Sequence, residues 1–168
     1  MTQLDFLSPD LATPDLAASA AAWRSPLERA LREAPPGVSD VSLTGKLEVR
    51  GQLDSLDVDG IELVRIAPGR GLVLCDFTKT AAVREGLRSE FFVIDVSAAL
   101  AGLQVQGETL MRRLTDLDLE TLPAIGAVAH VQAYVLRDGG ETFRLFFPQE
   151  YGHYLAEVVL DAIQGLRA

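Results

Sequence analysis

The rhythm of hydrophobic and polar positions changes several times along the chain. Val41, Leu43, Leu47 and Val49 alternate with polar residues up to Gly51, the period of a half-buried strand. Ile61, Leu63, Val64 and Ile66 make a second strand, and Leu72-Val73-Leu74-Cys75 a third, wholly apolar one. Between these two, Pro68-Gly69-Arg70-Gly71 reads as a hairpin turn. Thr78 is placed to cap a helix running to about Leu87, and Phe91–Val96 returns to strand. Glu108–Leu114 suits a helix, whereas Gln52–Asp59 is too short and acidic for a good one. Ala127–Leu136 and Thr142–Phe147 form a late strand pair around Arg137-Asp138-Gly139-Gly140, a strong turn. Tyr151, Tyr154, Leu155, Val158, Val159, Ala162 and Ile163 then keep helical period, with Gly165 at the end.

The two ends of the pattern differ. Ser25-Pro26-Leu27-Glu28 combines an N-cap, a proline at the first helical position and a glutamate at N3, so it predicts a helix. That helix is short, because Ala34-Pro35-Pro36-Gly37 stops it. Residues 1–23 hold Asp, Pro, Ala and Ser without sustained period and read as a flexible acidic, Ala-rich tail, or a segment ordered only by a partner.

An internal repeat underlies the strands. Asp40-Val41-Ser42 recurs as Asp95-Val96-Ser97, and Leu47-Glu48-Val49-Arg50-Gly51 as Leu103-Gln104-Val105-Gln106-Gly107. Neither half could bury its apolar face alone, so the two should share one sheet with helices on one face. The hairpin turns favour antiparallel pairing. The expected fold is therefore α+β: a duplicated, mostly antiparallel sheet with helices packed on it. It forms a single domain over residues 24–168, with half-units of about 38–94 and 95–168.

Composition narrows the function. A formal net charge of −9 argues against nucleic acid and anionic membranes, which reward clustered Lys and Arg. No apolar run approaches the roughly 18 residues of a membrane span, and the Ala-rich stretch Ala17–Ala22 follows acidic rather than basic residues. The expectation is a cytoplasmic protein. One cysteine excludes an internal disulfide and a thiolate metal site. Cys75 sits inside an apolar strand, where a buried core thiol is expected. His130, on a strand, and His153, on the polar side of the last helix, are not spaced as a metal pair. Pro68-Gly69-Arg70-Gly71 lacks the lysine and following helix of a phosphate loop. Arg112-Arg113 reads as a solvated face, and Asp116-Leu117-Asp118-Leu119-Glu120 as an acidic loop whose carboxylates would need burial to act as acid or base.

Several of these segments together resemble a family. Asp95-Val96-Ser97, Leu103–Gly107, Leu114-Thr115-Asp116-Leu117-Asp118-Leu119, Leu122-Pro123 and Gly126 are similar to the folate-binding domain of the aminomethyltransferase (glycine-cleavage T-protein) superfamily. Arg24-Ser25-Pro26-Leu27, Gly45–Gly51, Thr142-Phe143-Arg144-Leu145 and Tyr151–Leu155 extend the likeness toward the gamma-subunit family of heterotetrameric sarcosine oxidases. The resemblance implies a duplicated antiparallel α+β fold. In the transferases an Asp assists methylene transfer to tetrahydrofolate, which makes Asp118 the candidate catalytic residue and Asp95 and Asp118 the candidate folate ligands. In the gamma subunits the chemistry resides mainly in larger flavin-bearing chains, so the resemblance implies an accessory subunit packing on such partners, with no cofactor bound by the chain alone. A tetrahydrofolate-binding or one-carbon-transfer domain and a stand-alone protein-interaction module are the alternatives.

Overall fold

The computed structural model describes residues 24–56 and 60–167, so the tail expected over residues 1–23 lies outside the described residues. In chain order the elements are β1 (Val38–Asp40), β2 (Thr44–Arg50), β3 (Ile61–Ala67), β4 (Arg70–Asp76), α1 (Thr80–Leu87), β5 (Phe92–Asp95) and β6 (Leu100–Gln106). There follow α2 (Glu108–Leu114), β7 (Ala124–Val128), β8 (Val131–Gly139), β9 (Thr142–Pro148) and α3 (Gly152–Arg167).

The strands are antiparallel, as expected, but they build two sheets rather than one. A five-stranded sheet has the order β1-β6-β9-β8-β7 and a four-stranded sheet the order β3-β4-β2-β5. The reason lies in the strands' second faces. One sheet with helices on one side would leave Val64, Leu72, Leu74, Leu136 and Phe146 in water; instead these five pack together between the two sheets. The opposite faces meet the helices. Leu103, Val105, Phe143, Leu145 and Phe147 pack with Met111 of α2 and Leu155 and Val159 of α3. Leu47, Val49 and Val73 pack with Leu87 of α1 and with Phe91. The layers therefore run helix, sheet, sheet, helix pair.

The repeat is realised as an exchange between the sheets. β1 pairs with β6, placing Asp40 opposite Leu103, while β5 pairs with β2, placing Asp95 opposite Leu47. Each Asp-Val-Ser segment thus clamps the long strand of the other half. Asp40 Oδ1 accepts from Ser42 N at 2.9 Å and Asp95 Oδ1 from Ser97 N at 3.0 Å. Ser42 Oγ accepts from Gly102 N at 3.0 Å, and Ser97 Oγ accepts from Lys46 N at 2.9 Å. Lys46 and Gly102 are thereby equivalent positions. A Cβ on Gly102 would lie 2.7 Å from the Val41 carbonyl oxygen and 2.9 Å from the Phe146 ring, so that strand position admits only glycine.

Four local expectations are corrected. The segment Ser25–Ala34 forms successive turns rather than a helix: Ser25 Oγ accepts from Leu27 N as a cap would, but a single i→i−4 bond, Leu31 N to Leu27 O, follows before the prolines intervene. The strand expected over Ala127–Leu136 is broken into β7 and β8 by Ala129 and His130, whose φ values of 45° and 68° make a tight turn. Thr78 does not cap α1: a 3₁₀ turn Phe77–Lys79, capped by the Asp76 carboxylate accepting from Thr78 N, precedes the helix, which starts at Thr80 without a side-chain cap. Gly165 does not end α3, which runs to Arg167; Tyr151 and Tyr154 lie exposed at its start, outside the core. Among the described residues no helix is long and apolar enough to cross a membrane.

Candidate functional site

Between the sheets the apolar packing gives way to charge. β2 alternates Leu47 and Val49, which face α1, with Lys46, Glu48 and Arg50, which face the second sheet. Glu48 is 8% exposed and is the hub of the cluster. Its Oε1 accepts from Arg50 Nε at 3.0 Å and Nη2 at 2.8 Å. Its Oε2 accepts from Arg70 Nη2 at 2.9 Å and from the Tyr134 hydroxyl at 3.3 Å. Arg70 reaches it because β2 and β4 place Arg50 opposite Arg70, and Tyr134 reaches it from β8 of the other sheet. Burial pushes the Glu48 carboxyl up, but the hydrogen bonds from Arg70 and Arg50 outweigh it and hold it below the usual carboxylate range. Burial, reinforced by the Glu48 charge, raises the Tyr134 phenol, which stays protonated.

A cavity of about 170 Å³ adjoins this cluster, lined by Arg70, Gln132 and Tyr134 together with apolar side chains that include Leu100, Ile125 and Phe146. The Arg70 Nε is shielded from solvent and has no hydrogen-bond partner. At the other end of the same interface Arg144 of β9 bridges Asp138 and Glu62 of β3, tying the sheets together.

Lys46 is fully buried. Its Nζ donates to the carbonyl oxygens of Ser42 and Thr44, both at 2.7 Å, and lies 5.7 Å from the centre of the Phe146 ring. Burial lowers its pKa to about 8, against the opposing pull of Asp95, Asp40 and Cys75.

Arg70, from the Pro68-Gly69-Arg70-Gly71 turn, belongs to this cluster, whereas the other residues singled out from sequence lie apart from it. Asp118 is exposed; it caps the 3₁₀ turn Leu119–Thr121 by accepting from Glu120 N at 3.1 Å. Asp116 is exposed in the same loop. Asp95, on the four-stranded sheet, holds the Ser97 turn and lies 3.9 Å from Arg84. Its counterpart Asp40 makes the same turn in the other half. Cys75 is buried, its thiol 4.0 Å from Thr80 Oγ1, and burial pushes the thiol pKa up, away from thiolate chemistry. His153 pairs with Glu157 on the surface of α3, and no cluster of metal-ligating side chains occurs among the described residues. Pro68-Gly69 is a hairpin turn, and nearby Arg65 is already held by Asp54 and the Leu53 carbonyl. Arg112 pairs with Glu108 one turn earlier on α2.

The cluster was missed because a Lys-x-Glu-x-Arg alternation reads as a solvent-facing strand edge. The signal in the sequence is that the repeat carries Gly102 and Gln104 at the matching positions, so the two halves differ there in kind.

No protein-family model matches the chain, and no curated protein matches it by sequence. Solved structures match by fold. A chain of the heterotetrameric sarcosine oxidase from Corynebacterium sp. U-96, in complex with pyrrole 2-carboxylate, superposes with a TM-score of 0.64 at 18% identity, over 88% of this chain and 97% of that one. The glycine cleavage system aminomethyltransferase T from Bartonella henselae superposes with a TM-score of 0.55 at 17% identity. There the match covers 80% of this chain but only 48% of the other, so this chain spans about half that protein's length. This chain shares its fold with these two proteins over the matched regions.

Proposed function

We propose that the chain is a non-catalytic accessory subunit of an amine-oxidising assembly, resembling the gamma subunit of sarcosine oxidase and packing on larger flavin-bearing partners. The observation that carries this reading is the match to one chain of a heterotetrameric oxidase over nearly the whole length of both chains. A chain of similar size inside a named assembly is the expected counterpart of a subunit rather than of a free enzyme. A second feature supports it. β5 forms an edge of its sheet and leaves Phe92 62% exposed and Ile94 39% exposed, apolar area that a partner would cover.

The test is purification of the tagged chain from its native host. The reading expects a larger complex in which a co-purifying chain carries bound flavin and the complex oxidises sarcosine. A stable monomer that recovers no flavoprotein overturns it. The likeness to an aminomethyltransferase favours a second reading, a tetrahydrofolate-binding domain using Asp118 and Asp95. It expects saturable heat on titration with tetrahydrofolate, weakened by Asp118→Ala. The exposed, turn-capping positions of both carboxylates give this reading less support, and absence of heat removes it.

A further inference from the structure

The cavity between the sheets has the chemistry of a small-anion site. Glu48 is one negative charge held between two guanidinium groups, Arg50 and Arg70, so the cluster carries a net charge of +1. Both Glu48 oxygens are already taken, Oε1 by Arg50 and Oε2 by Arg70 and Tyr134, which leaves no carboxylate acceptor for an incoming ammonium. Arg70 lines the cavity with its side chain 41% exposed, so its guanidinium is the cation within reach of an occupant there. A guanidinium makes its strongest hydrogen bonds to an ionised acceptor such as a carboxylate. Gln132 adds an amide at the exposed side, while Leu100, Ile125 and Phe146 make the remaining wall apolar. About 170 Å³ has room for roughly five or six non-hydrogen atoms at the ~30 Å³ that a water molecule occupies in the liquid.

We infer that this cavity binds a short-chain monocarboxylate, its carboxylate on Arg70 and its alkyl body against Leu100, Ile125 and Phe146. The site joins both sheets, with Arg70 from β4 and Tyr134 from β8, so an occupant would brace the contact between them. This holds whether or not the chain joins a larger assembly.

Butyrate is the probe, and isosteric, uncharged butyramide its control, at matched ionic strength in an NMR titration of the isotope-labelled chain. Butyrate is expected to shift the Tyr134 and Ile125 signals saturably, with a Kd on the order of 1 mM for a six-atom ligand. Butyramide should bind at least about tenfold more weakly, the loss of one charge-assisted pair. Arg70→Gln should remove binding. Because it also disturbs Glu48, Ile125→Trp is the companion variant: it fills the cavity, leaves the Glu48 cluster in place, and should abolish saturation without altering the circular dichroism spectrum. Equal binding of butyrate and butyramide, undiminished binding by Ile125→Trp, or no saturable shift at all would overturn the assignment.

Discussion

Replacing Lys46 by Met removes a charge from the interior while keeping an unbranched side chain of similar length. Lys46 is fully buried, and its pKa falls from 10.5 in the open to about 8 in the fold. At 1.36 kcal/mol per pH unit, protonated Lys46 weighs against the folded state by about 3 kcal/mol relative to an exposed lysine. Between pH 8 and 10.5 the unfolded chain binds the proton and the folded chain does not, so this contribution makes stability rise with pH across that window and level off above it. Raised pKa values at Cys75 and Tyr134 act in the opposite sense at alkaline pH, so the wild-type curve alone does not isolate Lys46. The difference between wild type and Lys46→Met does. Urea unfolding followed by circular dichroism should show the variant's stability relative to wild type falling by about 3 kcal/mol from pH 7 to pH 10.5. A constant difference, within about 0.5 kcal/mol across that range, would refute the reasoning, since it would mean that the ammonium is solvated in the fold.

Three further outcomes follow from the same geometry. Ser42→Ala and Ser97→Ala each strip a buried backbone N–H of its acceptor, Gly102 N and Lys46 N respectively; each should cost about 1–3 kcal/mol in urea unfolding, with Ser42→Ala at least as costly because Ser42 Oγ also accepts from Ser25 Oγ. Gly102→Ala places a Cβ against the Val41 carbonyl and Phe146, and a loss of about 1–3 kcal/mol in thermal unfolding is expected, with no loss counting against the close approach. Glu48 has a depressed pKa, so its contribution is complete above its unfolded value near 4.5 and disappears as pH falls through its folded value. Acid unfolding of Glu48→Gln should therefore lack a component that wild type shows below pH 4.5.

How far the fold could be read in advance depended on whether local pattern or distant packing decides each element. Glu108–Leu114 was legible as a helix to the residue, and the hairpin at Pro68-Gly69 likewise, because period and turn chemistry act over a few residues. The Ser25 capping signal was real, since Ser25 Oγ does accept from Leu27 N, yet the prolines downstream left too little chain to continue a helix. The turn at Ala129-His130 carries no glycine or asparagine and so gave no local sign of a chain reversal. Asp118 and Asp95 were visible as residues, but their use as turn caps rather than buried acids depends on exposure, which alternation does not report.

The chain's pattern by itself determined most strands, the helices after Thr78, the antiparallel pairing and the duplication, because each follows from periodicities written along one stretch of sequence. It also joined β7 to β8 and placed a helix at Ser25, neither of which the fold contains. Tertiary structure decided that the Asp-Val-Ser segments cross over to the other half, and that Lys46 and Glu48 face another sheet instead of water. The physical reason is that a strand's second face is polar in the same way whether it meets solvent or a charged partner. Only the arrival of Arg70, Tyr134 and Phe146 from elsewhere turns that face into a net-positive cluster around the buried Glu48, beside a cavity.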